Sequence, residues 1–355
     1  MDQHQERVDR IARAISQLKA LLIFILVAIT LVPITLFYGD GLIKRIDTEL
    51  QTRRQPVVIR EQLPKEVFWT APDPGSVKDV SVQAQIAYGK ELIAHTAKYL
   101  GPKGIVMQIS NGMNCQNCHL DAGTKVFGNN YGAVASTYPK FRARSGTSEN
   151  IYKRVNDCFE RSLNGKGLDT LSKEMQAIKA YITFLGSNVP KGTIPNGSGL
   201  KQLAYLDREA NPENGKTIYT AKCVTCHQAN GQGQMAVDGI EYTYPPLWGP
   251  HSYNDGAGLY RISTFAKYAR FNMPLGVIHT SPLLTDEEAW DVAAYVNSQS
   301  RPHIKVPRDW PDVSKKPVDH PFGPYMDSFT EKQHKYGPFK PILEEQKKSK
   351  TTAQK

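Results

Sequence analysis

Two short runs of the form C-x-x-C-H constrain this chain more than any other feature: Cys115, Cys118 and His119, then Cys223, Cys226 and His227. Two thiols at this spacing can add across the vinyl groups of one haem, and the adjacent histidine then becomes the proximal iron ligand. A lone C-x-x-C would also suit a redox disulfide or half of a zinc site. Two copies, each followed directly by histidine, favour two covalently bound haem c groups. Attachment of this kind is extracytoplasmic, so the motif also predicts periplasmic haem domains. The chain has five cysteines, and the leftover thiol, Cys158, needs its own account.

The length of 355 residues suffices for two ordinary domains. The net charge of +10, much of it near the C-terminus, favours anionic partners. No helix-turn-helix, RNA-binding fold or zinc finger is legible, so nucleic acid is set aside as a partner.

Residues 20–38 (ALLIFILVAITLVPITLFY) carry no charge and are long enough to cross a hydrocarbon core. Arg7, Arg10, Arg13 and Lys19 precede them, which puts residues 1–19 in the cytoplasm. A cleaved signal peptide is the rival, but the run ends in bulky Thr35-Leu36-Phe37-Tyr38 without a small-x-small site. The expectation is an uncleaved single-pass anchor in the cytoplasmic (inner) membrane. Residues 39–77, charged and holding Pro56, Pro64, Pro72 and Pro74, read as a spacer. From 301 to 355 the chain is Pro- and Lys-rich and reads as a basic tail. A solvated extension is preferred over a docking site, so a cut at residue 305 should spare the chemistry.

Between these ends lies an internal repeat. The first unit opens with AYGKELIAHTAKYL (87–100) and closes with EMQAIKAYITFL (174–185). The second opens with ENGKTIYTAKC (213–223) and closes with DEEAWDVAAYVNS (286–298), Ala180-Tyr181 registering with Ala294-Tyr295. The layout resembles two tandem class I cytochrome c domains, at 78–190 and 205–300, joined by a Gly/Pro/Ser linker at 191–204. The fold class expected is therefore mainly α, a transmembrane helix followed by two such domains.

Register locates the sixth iron ligands. In the second unit Met273 of FNMPLG lies 46 residues after His227, in a loop typical of a distal methionine. Met235 is too near the haem motif, while His251 and His279 are rivals of the lone-loop-histidine kind. The first unit has no methionine there; counting back 22 residues from Ala180 reaches Cys158. Met107 and Met113 precede the motif, and Met175 shares a core stripe with Ile178, Ile182 and Leu185. A buried inert cysteine is the alternative for Cys158. A basic setting that lowers a thiol pKa favours the ligand. A helix through ENIYKRVNDCFERSLNG would put Arg154, Cys158 and Ser162 on one face, with Ile151, Val155, Phe159 and Leu163 turned inward. Arg144 and Arg161 lie close by in sequence. Guanidinium groups bind oxyanions through paired hydrogen bonds, so such a face suits an anion site.

The blocks CQNCHLDAGT (115–124), YPKFRARSG (138–146), RVNDCFERSLNG (154–165), YPPLWGPHSYNDGAG (244–258) and FNMPLG (271–276) resemble the dihaem thiosulfate dehydrogenases, or tetrathionate synthases. The resemblance implies an active-site haem held by His119 and Cys158, with Arg144, Arg154 and Ser162 around the thiosulfate. It also implies a second haem held by His227 and Met273. Some members use a lysine just before that methionine; here the position is Asn272. The implied reaction joins two thiosulfates into tetrathionate and passes electrons to a cytochrome or similar redox protein, soluble or membrane-bound. The rivals are the same enzyme run as a tetrathionate reductase, a membrane-tethered electron shuttle, and a dihaem peroxidase. The Arg154, Cys158 and Ser162 face argues against the last two.

Overall fold

A computed structural model of the protein describes residues 10–30, 32 and 66–352. It divides at Glu66 into two units. In the first, α1 (Arg10–Thr30) is, among the described residues, the one helix long and apolar enough to cross a membrane. Its apolar side chains are exposed along its length. Its described part starts at Arg10, ahead of the predicted uncharged span at Ala20. The rest of the predicted span, residues 31 and 33–38, residues 1–9 and the spacer positions 39–65 lie outside the described residues.

The second unit is built twice on one plan. In the first lobe the carboxylate of Asp79 accepts the N–H groups of Ser81 and Val82 at 2.8 and 3.2 Å. That cap starts α2 (Val80–Ala94) a turn or more before the apolar periodicity begins. There follow α3 (Thr96–Leu100), a single 3-10 turn over the first haem motif, α4 (Leu120–Gly123) and α5 (Val134–Thr137). Strands β1 (Lys140–Arg142) and β2 (Thr147–Glu149) form an antiparallel hairpin with Lys140 opposite Glu149. After it come α6 (Ile151–Arg161), N-capped by Asn150, and α7 (Lys173–Leu185), N-capped by Ser172.

The second lobe opens with α8 (Pro212–Lys222), where Asn211 caps and Pro212 pre-sets the first turn. The second haem motif rides on α9 (Val224–His227), followed by the short pair β3 (Gln234–Met235) and β4 (Tyr242–Tyr244). Then come α10 (Ile262–Asn272) and α11 (Asp286–Ser298), the latter started by a reciprocal Thr285–Glu288 capping box.

In each lobe the opening helix crosses the closing one, α2 on α7 and α8 on α11. A glycine sits at each crossing. A Cβ added to Gly89 would stand 2.0 Å from the carbonyl oxygen of Ala177, and one on Gly215 would stand 1.9 Å from that of Asp291. The matched glycines let the backbones touch. Met175 is fully buried beside Ile178 and Leu185, as the α7 stripe predicts. The predicted linker is tied to the first lobe, with the N–H groups of Phe127 and Asn129 donating to Gly197 and Gly199.

The segment after 300 is not a solvated extension. It carries α12 (Glu331–Tyr336) and enters α13 (Lys340–Thr352). Phe339 and Ile342, 2% and 0% exposed, complete the second core, with Phe339 tilted on Trp290 at 5.7 Å. His334, 1% exposed, meets Val318 O and Asp327 Oδ1 at 2.8 and 2.9 Å. Asp319 accepts the N–H of Ser263 at 3.1 Å, capping α10, whose own N-cap Arg261 makes no side-chain cap bond. Prolines break the periodicity through most of this stretch, so its burial comes from long-range contacts.

Candidate functional site

The two motif histidines are set alike. Nδ1 of His119 lies 2.6 Å from Asn129 O, and Nδ1 of His227 lies 2.8 Å from Pro245 O. A carbonyl only accepts, so each Nδ1 carries the hydrogen and each Nε2 keeps its lone pair for a metal. Burial keeps both rings neutral, pushing His119 down to about 4 and lowering His227 as well. The Tyr131 ring stacks on His119 at 4.5 Å. None of the five cysteines forms a disulfide. Among the described residues no three His, Cys, Asp or Glu side chains are placed to hold a bare metal ion.

A cavity of about 370 Å³ opens beside Cys223, Cys226 and His227, with Phe265, Leu284 and Val292 on its apolar wall. Paired thiols, a neutral imidazole nitrogen and an apolar cavity together fit a covalently held haem. Met273 lines this cavity directly after α10, and Met113 of the first lobe borders it too. Of the rivals, Met235 is exposed on β3 and His251 is exposed, while the His279 ring lies between Phe68 and Phe127 at 5.1 and 4.9 Å. None of the three lines the cavity. Asn272 is buried, its amide donating to Phe127 O at 3.1 Å.

Cys158 is half-buried on α6, whose Phe159, with Leu163 beyond it, turns into the first core. One turn earlier, the Cys158 sulfur is the main influence holding the Arg154 guanidinium protonated more firmly than usual, against an opposing effect of burial. Ser162 closes the helix, its N–H donating to Cys158 O at 2.8 Å. Arg144 reaches the same region from the β1–β2 turn, and its Nη2 stands 2.8 Å from Asp157 Oδ2. Burial raises the Asp157 carboxyl, but the Lys153 hydrogen bond and Arg144 outweigh it and hold the group below its ordinary range. Burial lowers Arg144, and Arg161 and Arg154 add to the effect, so the three guanidinium groups sense one another. Arg161 is paired with Asp309 by two bonds of 2.8 Å. Among the described residues no carboxylate hydrogen-bonds Arg154. The one-face spacing is thus realised on α6, and two of the three guanidinium groups nearby are already paired with a carboxylate. Asp157, Asp309, Asn129 and Pro245 escaped sequence reasoning. Asp157 alone had a local signal, an acid four residues after Lys153.

Residues 107–190 match the family described as SoxA/TsdA, cytochrome c domain, and residues 212–300 match cytochrome c. The chain is 38% identical over 243 residues to a thiosulfate dehydrogenase of Psychrobacter arcticus, covering 68% of this chain and 71% of that one. It is 34% identical over 255 residues to one of Allochromatium vinosum, covering 71% and 91%. Among solved structures it resembles the as-isolated thiosulfate dehydrogenase (TsdBA) of Marichromatium purpuratum, with a TM-score of 0.60 and 32% identity. That match covers 66% of this chain and 50% of the longer one. The chain is mainly helical, with two cytochrome c domains, and holds two covalently bound c-type haems.

Proposed function

The chain belongs to the thiosulfate dehydrogenase family, and from that premise we propose that it oxidises thiosulfate to tetrathionate at a haem held by His119 and Cys158. Two thiosulfate dianions form one sulfur–sulfur bond and release two electrons, and the two haems supply one-electron acceptance. Electrons leave through a second haem held by His227 and Met273 to an external redox protein. The chain's own part is to bring like charges together. Arg154 stands one turn before Cys158, senses its sulfur most strongly and has no hydrogen-bonded carboxylate among the described residues, although Asp157 and Glu149 also favour its charge; its place beside that sulfur is the observation that carries this reading. Arg144 adds a second guanidinium, paired with Asp157, and Ser162 offers a hydroxyl at the end of α6. Fixed cations in a partly dehydrated pocket offset repulsion that water would otherwise have to screen. Helix α1 serves as an uncleaved inner-membrane anchor, with both cytochrome c domains in the periplasm. Purified haem-loaded protein given thiosulfate and an artificial electron acceptor should form tetrathionate in proportion to acceptor reduced. Acceptor reduction without tetrathionate, or neither from an intact dihaem protein, would sink the reading.

A further inference from the structure

The chain beyond residue 300 lies outside both family matches, yet it reaches the helix that carries Cys158. Asp309 takes both terminal nitrogens of Arg161, Nη1 and Nη2, at 2.8 Å each. Arg161 is 8% exposed and sits three residues past Cys158. The next residue, Trp310, donates its backbone N–H to the carbonyl of Arg144 at 2.6 Å. Its indole is held in turn, Nε1 donating to His320 Nε2 at 3.0 Å while His320 Nδ1 faces Phe322 O at 3.1 Å. Burial keeps that imidazole neutral, down to about 4, so Nε2 can accept. From the other side, Asn254 donates its N–H to Arg161 O at 3.1 Å and its amide to Glu160 O at 2.8 Å. Arg161 is therefore gripped from the second lobe and from the C-terminal segment.

The Arg144 guanidinium senses both Arg161 and Arg154, and of the three only Arg154 has no hydrogen-bonded carboxylate among the described residues, although the charges of Asp157 and Glu149 favour its protonated form. A pocket presenting all three would hold a dianion tightly and release a dianionic product slowly. A bidentate carboxylate on a buried guanidinium prevents that, because it satisfies the charge in a fixed geometry. We propose that Asp309 is a specificity-determining, positioning residue that withdraws Arg161 from the anion pocket beside Cys158, with Trp310 holding Asp309 and Arg144 in register. The inference rests on the anion-pocket reading above.

Sulfate, a dianion that does not react, tests it in the full-length, haem-loaded, ferric protein by calorimetry. Asp309→Asn should bind sulfate about tenfold more tightly, the gain of one charge-assisted contact. Asp309→Glu should return the affinity to near that of wild type. Adding Arg161→Met to Asp309→Asn should cancel the gain, because the cation that the first substitution releases is then gone. In turnover, Asp309→Asn should lower KM and kcat together, whereas mere loosening of the fold would raise KM. Unchanged or weaker sulfate binding in folded, dihaem Asp309→Asn, or a gain that persists in the Asp309→Asn, Arg161→Met double variant, would overturn the proposal. Wild type that binds no sulfate at all would remove the anion-pocket reading itself, and this inference with it.

Discussion

Arg154 is the cation whose loss should be felt most by the substrate, because Arg144 and Arg161 each bring a carboxylate with them. A charge-assisted contact contributes about 1.5–3 kcal/mol, roughly tenfold to a hundredfold in affinity. Arg154→Ala should depress thiosulfate turnover by that factor at low substrate, and added salt should depress wild type in the same direction. Both haem spectra should survive. Equal rates across the whole concentration range would make this face of α6 an ordinary solvated surface. Cys158→Ala should abolish a thiolate-type haem spectrum and leave the His227 haem intact. Spectra identical to wild type would take Cys158 off the iron. The helical spacing of Arg154, Cys158 and Ser162 was legible in the sequence because it is local. Asp309 was not, since 148 residues separate it from Arg161 and nothing in its neighbourhood marks it as a partner.

Among the helices, α6 carries one proposed iron ligand and α10 leads to the other; α6 is capped locally by Asn150, whereas α10 is capped by a residue from elsewhere. Helix α10 begins at Ile262 without a local cap, and Asp319 supplies one while pairing with Arg261 Nε at 2.9 Å. Burial alone would raise the Asp319 carboxyl, but Arg261 and Ser263 outweigh it and leave the group below its ordinary 3.8. A carboxyl lowered in the folded state stabilises above its unfolded pKa, and the contribution fades as pH falls through the folded value. Asp319→Asn should cost about 1–3 kcal/mol at pH 7, and the gap to wild type should close in acid, below the ordinary value of 3.8. Thermal melts at both pH values check this; coincident curves at pH 7 would mean that Asp319 does not cap α10. The closing helices α7 and α11 fall where the apolar period places them. Helix α2 begins earlier because Asp79, and not the apolar stripe, sets its start.

For the whole molecule, the consequence is that the C-terminal segment belongs to the second lobe. A chain ending at residue 305 would lose Asp309, Asp319, Phe339 and Ile342. Burying the last two alone contributes about 1.5–3 kcal/mol each, against a domain stability of about 5–15 kcal/mol. The truncated protein should melt at least about 10 °C lower, or fail to accumulate with both haems. Melting within about 2 °C of wild type would restore the solvated-tail view. At the other end, the protein should stay with membranes after a high-salt wash and keep its own N-terminus. A soluble periplasmic form starting near residue 40 would mean that the apolar run is cleaved as a signal.

What the sequence determined by itself is what short-range chemistry encodes. It includes two haem attachments from C-x-x-C-H, an apolar N-terminal helix, paired opening and closing helices from the apolar period, and the α6 face that carries Arg154 and Cys158. Only the tertiary structure decided which of the neighbouring arginines are paired with a carboxylate, and that a lysine- and proline-rich end is part of a core. The physical reason is the same in both cases. Whether a guanidinium is neutralised or an apolar side chain is buried depends on a partner brought close by the fold, and composition along the chain carries no record of that distance.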